Sequence, residues 1–372
     1  MKITIAIGPF NPVPTVLGGA VERVQQTLAE EYARQGHLVT IVSRQYETFP
    51  TQEHRNGVSY LRVPSWDAPT SRFLYRAYDY VYSRRVAQIL PSSDITVTNS
   101  VFLPLVLPKD RAGHIYVHAA RFPKHQMSLY RRASRIQTVS SVVADAIKQQ
   151  SPSVRDRVIA IPNPLTGPLA VPAEPDRQSR PPHILFVGRL AREKGVGLLI
   201  EAFARMATNG LSAYDLHIVG SHEVRHQGDG AAYLAELQSL ASPVARRVHF
   251  HGPIFDPDIL RKIYMNADIF VYPSVAERGE TFGLAPLEAM AARCRVIVSA
   301  LDCFKEYTVP NDNAVIFDHR SDPVDALSKA IHSLTSQTDT ERMRTSASRT
   351  ASDFQVKTIA DRYIADFKTL LS

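Results

Sequence analysis

Short apolar runs alternate along the chain with longer segments whose apolar positions recur every three or four residues. The first kind predicts strands at Ile3–Ile7, Leu38–Ser43, Val58–Val63, Ile95–Thr98, His114–His118 and Ile136–Val139. The second kind predicts an amphipathic helix over Ala20–Arg34, stopped by Gly36, and another from about Val142. A second series follows, with strands at His183–Val187, Leu216–Val219, Val248–His251, Ile269–Tyr272, Val296–Ser299 and Ala314–Phe317, and a helix from about Gly197. Between the two series, Ile161 to Pro182 carries Pro162-Asn163-Pro164 and further prolines and reads as a linker. Strands alternating with helices on this spacing predict an α/β chain of two doubly wound parallel sheets, over residues 1–167 and 168–355, with a closing helix near Val356–Leu371. Ligands in such folds gather at the carboxyl ends of strands, so the expected site is a cleft between the domains. No repeat of solenoid period is present.

Composition narrows the class. With 372 residues, 44% hydrophobic and 21% charged, the chain is an ordinary globular protein too long for one core. Two cysteines, Cys294 and Cys303, give no disulfide framework, and a cytoplasmic setting is expected. Met1–Ile7 is too brief for a signal-peptide core, and no apolar run approaches the ~20 residues that span a bilayer. The net charge of +7 is uneven: residues 1–170 hold 20 Lys and Arg against 11 Asp and Glu, and the remainder 23 against 25.

The most informative stretch runs from Glu280 to Glu288, two carboxylates bracketing Thr281-Phe282-Gly283-Leu284-Ala285-Pro286-Leu287. Pro286 is expected to open a helix with Glu288 in its first turn, Glu280 lying on the preceding loop. Backbone N–H groups near Gly283 and Leu284 then point out of a helix N-terminus, where phosphate or sugar hydroxyls can bind. One carboxylate can meet a sugar while the other reaches a ribose. Taken alone, two Glu at this spacing are as well explained by chance and by the helix dipole. Upstream, Phe186-Val187-Gly188-Arg189-Leu190-Ala191-Arg192-Glu193-Lys194-Gly195 sets a glycine at a strand end before two cations. Gly188 permits close approach of backbone, Arg189 can hold phosphate bidentately, and Lys194 adds a point charge. Together they can neutralise a diphosphate leaving group without a metal; alone, they could be solvated surface cations.

The combination of Gly188-Arg189-Leu190, Lys194-Gly195, the Glu280/Glu288 pair around Phe282-Gly283 and Glu288-Ala289-Met290-Ala291 strongly resembles the retaining glycosyltransferases of family 4, two-domain GT-B enzymes. Gly18-Gly19, Gly36-His37, Ile136-Gln137-Thr138-Val139-Ser140-Ser141, Ile161-Pro162-Asn163, Leu216-His217-Ile218-Val219-Gly220 and the Ala267–Ser274 segment extend it over essentially the whole chain. The resemblance implies that Glu280 contacts the donor sugar, Glu288 the ribose, and Arg189 and Lys194 the diphosphate. It also implies that the backbone at Gly188, Phe282, Gly283 and Leu284 meets sugar and phosphate, that Gly18 and Gly19 meet the phosphates from the other domain, and that His118 lies near the transferred sugar. It implies a nucleoside diphosphate sugar as donor, no cofactor or metal, and a closing helix over 356–372 that crosses back onto the first domain. Three departures stand out: Asn163-Pro164 replaces the usual Asn-Gly, Leu301-Asp302-Cys303 replaces a Gly-Gly before Glu306, and Asn313 replaces a late glycine whose positive φ asparagine can also adopt.

Other features carry less. Asp256-Pro257-Asp258 spells a metal-binding triplet but is expected to cap a helix. His222 and His226 have helical i, i+4 spacing without the glutamate of a zinc protease, and Ser140-Ser141 lacks a hydrolase elbow and is expected to cap a helix. Aromatics and cations interleave over Ser71–Leu90 (Arg72, Phe73, Tyr75, Arg76, Arg84, Arg85) and cations recur over Arg121–Arg135. That pattern suits docking on an anionic membrane face to reach a lipid-linked or glycan acceptor, and equally suits a solvated basic face or an acceptor-phosphate groove. A peripheral position on the inner face of the cell membrane is the corresponding expectation. The function expected is transfer of a sugar from a nucleoside diphosphate sugar to a glycan or glycolipid hydroxyl in surface polysaccharide biosynthesis. The alternatives are a catalytically silent paralogue and a nucleotide-sugar epimerase of the same architecture. A nucleic-acid partner is not expected, since only charge favours one.

Overall fold

The computed structural model describes residues 1–16, 19–166, 181–207, 213–336 and 341–372. The chain divides into two compact units, Met1–Thr166 with Val356–Ser372, and Gly167–Gln355. Both are doubly wound α/β sheets.

The first unit holds strands β1 (Lys2–Ala6), β2 (Leu38–Arg44), β3 (Gln52–Arg55), β4 (Val58–Val63), β5 (Ile95–Thr98), β6 (His114–Ala119), β7 (Arg135–Thr138) and β8 (Val158–Ala160). Their order is β3-β4-β2-β1-β5-β6-β7-β8, and every pairing is parallel except β3 with β4. That hairpin turns on Asn56 and Gly57, both at positive φ. Two consecutive left-handed residues give the turn whose twist matches flanking strands. The central strands are buried on both faces, as parallel strands between helices must be. The helix Ala20–Arg34 lays Val24, Leu28 and Tyr32 against the sheet. From the far end of the sequence, Val356–Leu371 buries Ile359, Tyr363 and Phe367 in the same unit. Phe367 packs edge-on to Tyr116 (4.9 Å) and Tyr32 (6.0 Å), and Asp366 pairs with Arg135 at 2.8 Å.

The second unit is a parallel sheet of β9 (His183–Val187), β10 (Asp215–Val219), β11 (Val248–Gly252), β12 (Ile269–Tyr272), β13 (Arg295–Ser299) and β14 (Val315–Phe317), in the order β11-β10-β9-β12-β13-β14. The order reverses between β9 and β12, where a doubly wound sheet opens a crevice at its carboxyl edge. Of the expected linker, residues 167–180 lie outside the described residues. No helix among the described residues is long and apolar enough to cross a membrane.

Candidate active site

The crevice of the second unit begins where β9 and β10 end. A Cβ on Gly220 would lie 1.7 Å from the Gly188 carbonyl oxygen, and one on Gly188 would lie 3.0 Å from the Phe186 ring. Gly220, at φ 156°, therefore admits no side chain, and the two strand ends meet here through backbone, with the Gly188 Cα closely faced by the Phe186 and Tyr272 rings. Arg189 follows directly. Its guanidinium donates to the Gln227 carbonyl at 2.5 Å and pairs with Glu193 at 2.9 Å, about a third exposed.

Lys194 behaves differently. A short turn, Arg192–Lys194, brings it under cover, where its Nζ donates to Glu280 Oε2 at 2.6 Å; both side chains are less than 10% exposed. The structure thus brings together two candidate residues 86 positions apart. Tyr272, at the end of β12, sits beside the same carboxylate, and Lys194 Nζ lies 5.7 Å from its ring centre. Burial first, and then the Glu280 charge, push the Tyr272 phenol well above its ordinary value, so it stays a donor. Cys303 is buried in the same surroundings, and burial together with Glu280 raises its thiol, which makes it an inert packing group. No spacing in the sequence pointed to Tyr272; its signals were its place at a strand end and within the Ala267–Ser274 segment.

The helix after Glu280 starts earlier than expected. It spans Leu284–Ala291 with Gly283 (φ 75°) as its N-cap, so Pro286 is its third residue rather than its first and Glu288 its fifth, beyond the first turn. Proline is tolerated there because first-turn N–H groups have no intrahelical partner. Tyr307 fixes the cap by donating to the Gly283 carbonyl at 2.8 Å. A Cβ on Gly283 would lie 2.5 Å from the Phe304 ring. The Phe282 side chain is buried against Tyr307 and Phe354, so its backbone is the part left for a ligand. Glu288 accepts from the Tyr264 hydroxyl at 3.0 Å, a partner the sequence did not signal.

Asn313 is a correction as well: it is Asn311 that takes positive φ, at 60°. The buried Asn313 amide instead ties the turn together, accepting from Val309 N and donating to the Tyr307 carbonyl and Thr350. Asp256 caps Pro257–Met265 by accepting from Asp258 N (2.8 Å) and Ile259 N (3.1 Å), and Ser140 caps Ser141–Gln150 through Val143 N. His226 ends a three-residue turn rather than sharing a helical face with His222.

In the first unit, His118 sits near the end of β6 and is 4% exposed. Its Nδ1 is 2.5 Å from Gln137 Oε1, while Gln137 Nε2 donates to the Thr138 and Ile161 carbonyls, each at 2.7 Å. The two carbonyls fix the amide, so its oxygen must accept and His118 Nδ1 must carry the proton. Nε2 is left as a bare acceptor, buried and without a hydrogen-bond partner. Burial holds the His118 pKa below its ordinary value, against the opposing pull of Gln137. Gly19 caps the helix Ala20–Arg34 at φ 112°; Gly18 lies outside the described residues. Glu22, in the first turn of that helix, is a buried acid whose pKa burial raises, and no motif had marked it.

Two doubly wound parallel sheets in these strand orders define a GT-B fold. Residues 171–351 match the glycosyl transferases group 1 family, and the second unit is a domain of that family. An uncharacterized glycosyltransferase from Methanocaldococcus jannaschii is 38% identical over 118 residues, 32% of this chain and 27% of the relative. The lipopolysaccharide 1,2-N-acetylglucosaminetransferase of Salmonella typhimurium is 29% identical over 126 residues, 34% of this chain and 32% of the relative. In both, the matched segment spans about a third or less of the relative's length. The structure of Anabaena HepE with UDP and glucose superposes with a TM-score of 0.74 over 99% of each chain at 18% identity, a likeness of fold.

Proposed function

We propose that this chain is a glycosyltransferase that moves a sugar from a nucleoside diphosphate sugar onto a hydroxyl of a glycan or glycolipid, with retention at the anomeric carbon, in surface polysaccharide assembly. The observation that carries this reading is the buried Lys194–Glu280 pair, set three residues before the capped helix N-terminus at Gly283. A relative that acts on lipopolysaccharide and a like-folded protein that holds UDP and glucose support the donor and acceptor classes.

Lys194 and Arg189 are the cations a diphosphate would meet, joined by the N–H groups at Leu284, and they take up the negative charge that develops as it departs. The bond from the anomeric carbon to phosphate oxygen breaks while the acceptor oxygen bonds to that carbon from the same face. The acceptor's proton passes to the departing phosphate. Glu280 holds the sugar and balances the positive charge on its ring, Glu288 takes the ribose, and His118 Nε2 accepts from a sugar hydroxyl. Two fixed cations fill the role of a divalent ion, so transfer should persist in EDTA.

The test incubates the protein with UDP-, GDP-, ADP-, TDP- and CMP-sugars, with and without glycan and glycolipid acceptors, following nucleotide release and the product's anomeric configuration. Acceptor-dependent release with a retained anomer is expected, with Glu280→Gln losing turnover more than nucleotide affinity and Glu288→Ala weakening nucleotide binding. Donor consumption without acceptor would identify an epimerase, and donor binding without consumption a silent paralogue.

For the acceptor we assign the helix Arg72–Ile89 as a docking face for anionic membrane. It leaves Phe73 79% and Tyr80 47% exposed, with Leu74, Tyr75 and Val81 also open and Arg72, Arg76 and Arg84 among them. Each cation near an anionic surface contributes ~1 kcal/mol. Phosphatidylglycerol vesicles should co-sediment the protein, and Phe73→Ser with Arg76→Glu should release it; binding equal on neutral vesicles would refute the assignment.

A further inference from the structure

Strands inside a parallel sheet are ordinarily near-continuous apolar runs. On β9, β10 and β11 that pattern breaks at His183, Asp215, His217, His249 and His251. The breaks coincide in space, because the register sets Asp215 beside His183 and His217 beside His249. The two-residue alternation of a strand puts Asp215 with His217 on one face, and His251, at the register shift between β10 and β11, brings its ring beside His217. The His217 ring lies 4.1 Å from that of His183, 4.8 Å from His249 and 5.1 Å from His251.

We propose that Asp215, His217 and His249, with His251 adjoining, form a binding site for a divalent transition metal, clamping the edge strand β11 to β10. Donor atoms of the first three lie within 4.8 Å of one another. His249 Nε2 is 3.6 Å from Asp215 Oδ2, and His251 Nε2 is 2.9 Å from His217 Nδ1. Bonds of ~2.0–2.1 Å from zinc to imidazole nitrogen place tetrahedral ligands about 3.3 Å apart, between those two separations. Three imidazoles and one carboxylate suit Zn²⁺ and its neighbours in the first transition row, whereas Mg²⁺ and Ca²⁺ require a shell of oxygens. Arg247 is the competitor for Asp215: its Nε pairs with Oδ1 at 4.0 Å while donating to the Tyr214 carbonyl at 2.9 Å, so a metal would have to displace a long ion pair. All four residues are at least partly exposed, so an ion can enter and the side chains have room to close on it. Asp215 opens β10, whereas Gly188 and Gly220 lie at the carboxyl ends of the sheet, so a metal here would be structural and take no part in the sugar chemistry.

The test uses the full chain, freed of metal by EDTA and dialysis, then titrated calorimetrically with ZnCl₂ and spectroscopically with CoCl₂. One Zn²⁺ per chain, a rise in Tm on saturation and the visible bands of four-coordinate Co²⁺ are expected. His249→Gln and Asp215→Asn should each weaken Zn²⁺ affinity at least tenfold, while His332→Ala, at an exposed helical histidine, should not. UDP-sugar binding should be unchanged in all three variants, which separates this site from the nucleotide reading. Should one variant fail to fold, the other still decides. Absence of a Zn²⁺ equivalent, or an equivalent that survives both substitutions, would overturn the site and leave a cluster of hydrogen-bonded imidazoles.

Discussion

At the scale of single residues, the buried Lys194–Glu280 pair sets the strongest expectation. Removing one member of a buried ion pair leaves the other charged, desolvated and unmatched, which costs about 3–5 kcal/mol, whereas replacing both with apolar groups is often neutral. Lys194→Met and Glu280→Leu should each lower stability in urea by roughly that amount, and the double variant should lose less than either alone. Additive losses would show that the two are not coupled. His118 offers a second handle, through pH. Its folded pKa lies below its ordinary 6.5, so the folded chain resists a proton that the unfolded chain accepts. Its contribution to stability is therefore complete above pH 6.5 and is lost as pH falls below it. His118→Gln should flatten the acid limb of the stability curve below about pH 6.5, with a slope change of at most ~1.4 kcal/mol per pH unit. An unchanged limb would mean the imidazole is not held neutral. Lys194 and Glu280 were legible as candidates in the sequence, but their pairing was not, because a contact spanning 86 positions is set by the fold of two loops rather than by any local pattern.

Among the elements, the helix Leu284–Ala291 shows where reading the chain goes astray. Proline at the first helical position is a strong expectation, and it set the helix start two residues too late. What overrode it was tertiary: Tyr307 and Phe304, from the turn after β13, hold Gly283 at positive φ and start the helix at Leu284. Gly283→Ala combines a strained φ with a Cβ 2.5 Å from Phe304, so the cap itself must shift. The expected result is a loss of about 1–3 kcal/mol in stability, with a larger relative loss in nucleotide-sugar affinity, since the donor N–H groups move with the cap. Denaturation and calorimetry on one variant check both, and affinity retained despite lost stability would detach this helix end from the donor. Most strands were legible because apolar runs in doubly wound sheets are long and plainly bounded. The edge strand β3 was not: Gln52-Glu53-His54-Arg55 is polar, and only Asn56-Gly57 marked its hairpin.

For the molecule as a whole, the informative fact is that the last helix is continuous in sequence with one unit and belongs by packing to the other. Gln355 closes the second unit, and Val356–Leu371 then covers Tyr32 and Tyr116 of the first. Full burial of a large apolar side chain stabilises by about 1.5–3 kcal/mol. Tyr363, Ile364 and Phe367 together therefore approach the ~5–15 kcal/mol that is the entire stability of a domain. Truncation after Gln355 should thus unfold or greatly loosen the first unit while leaving the second intact, although the cut lies beside the second. Hydrogen exchange by mass spectrometry distinguishes the cases. Protection should fall across β1, β2 and β6 and persist across β9, β12 and β13. Arg135→Ala, which removes the ion pair to Asp366 and a hydrogen bond to Thr369, should loosen the same strands by less, because the buried Tyr363, Ile364 and Phe367 stay in place. Loss confined to the second unit would mean that the aromatic cluster of Tyr32, Tyr116 and Phe367 does not hold the first together.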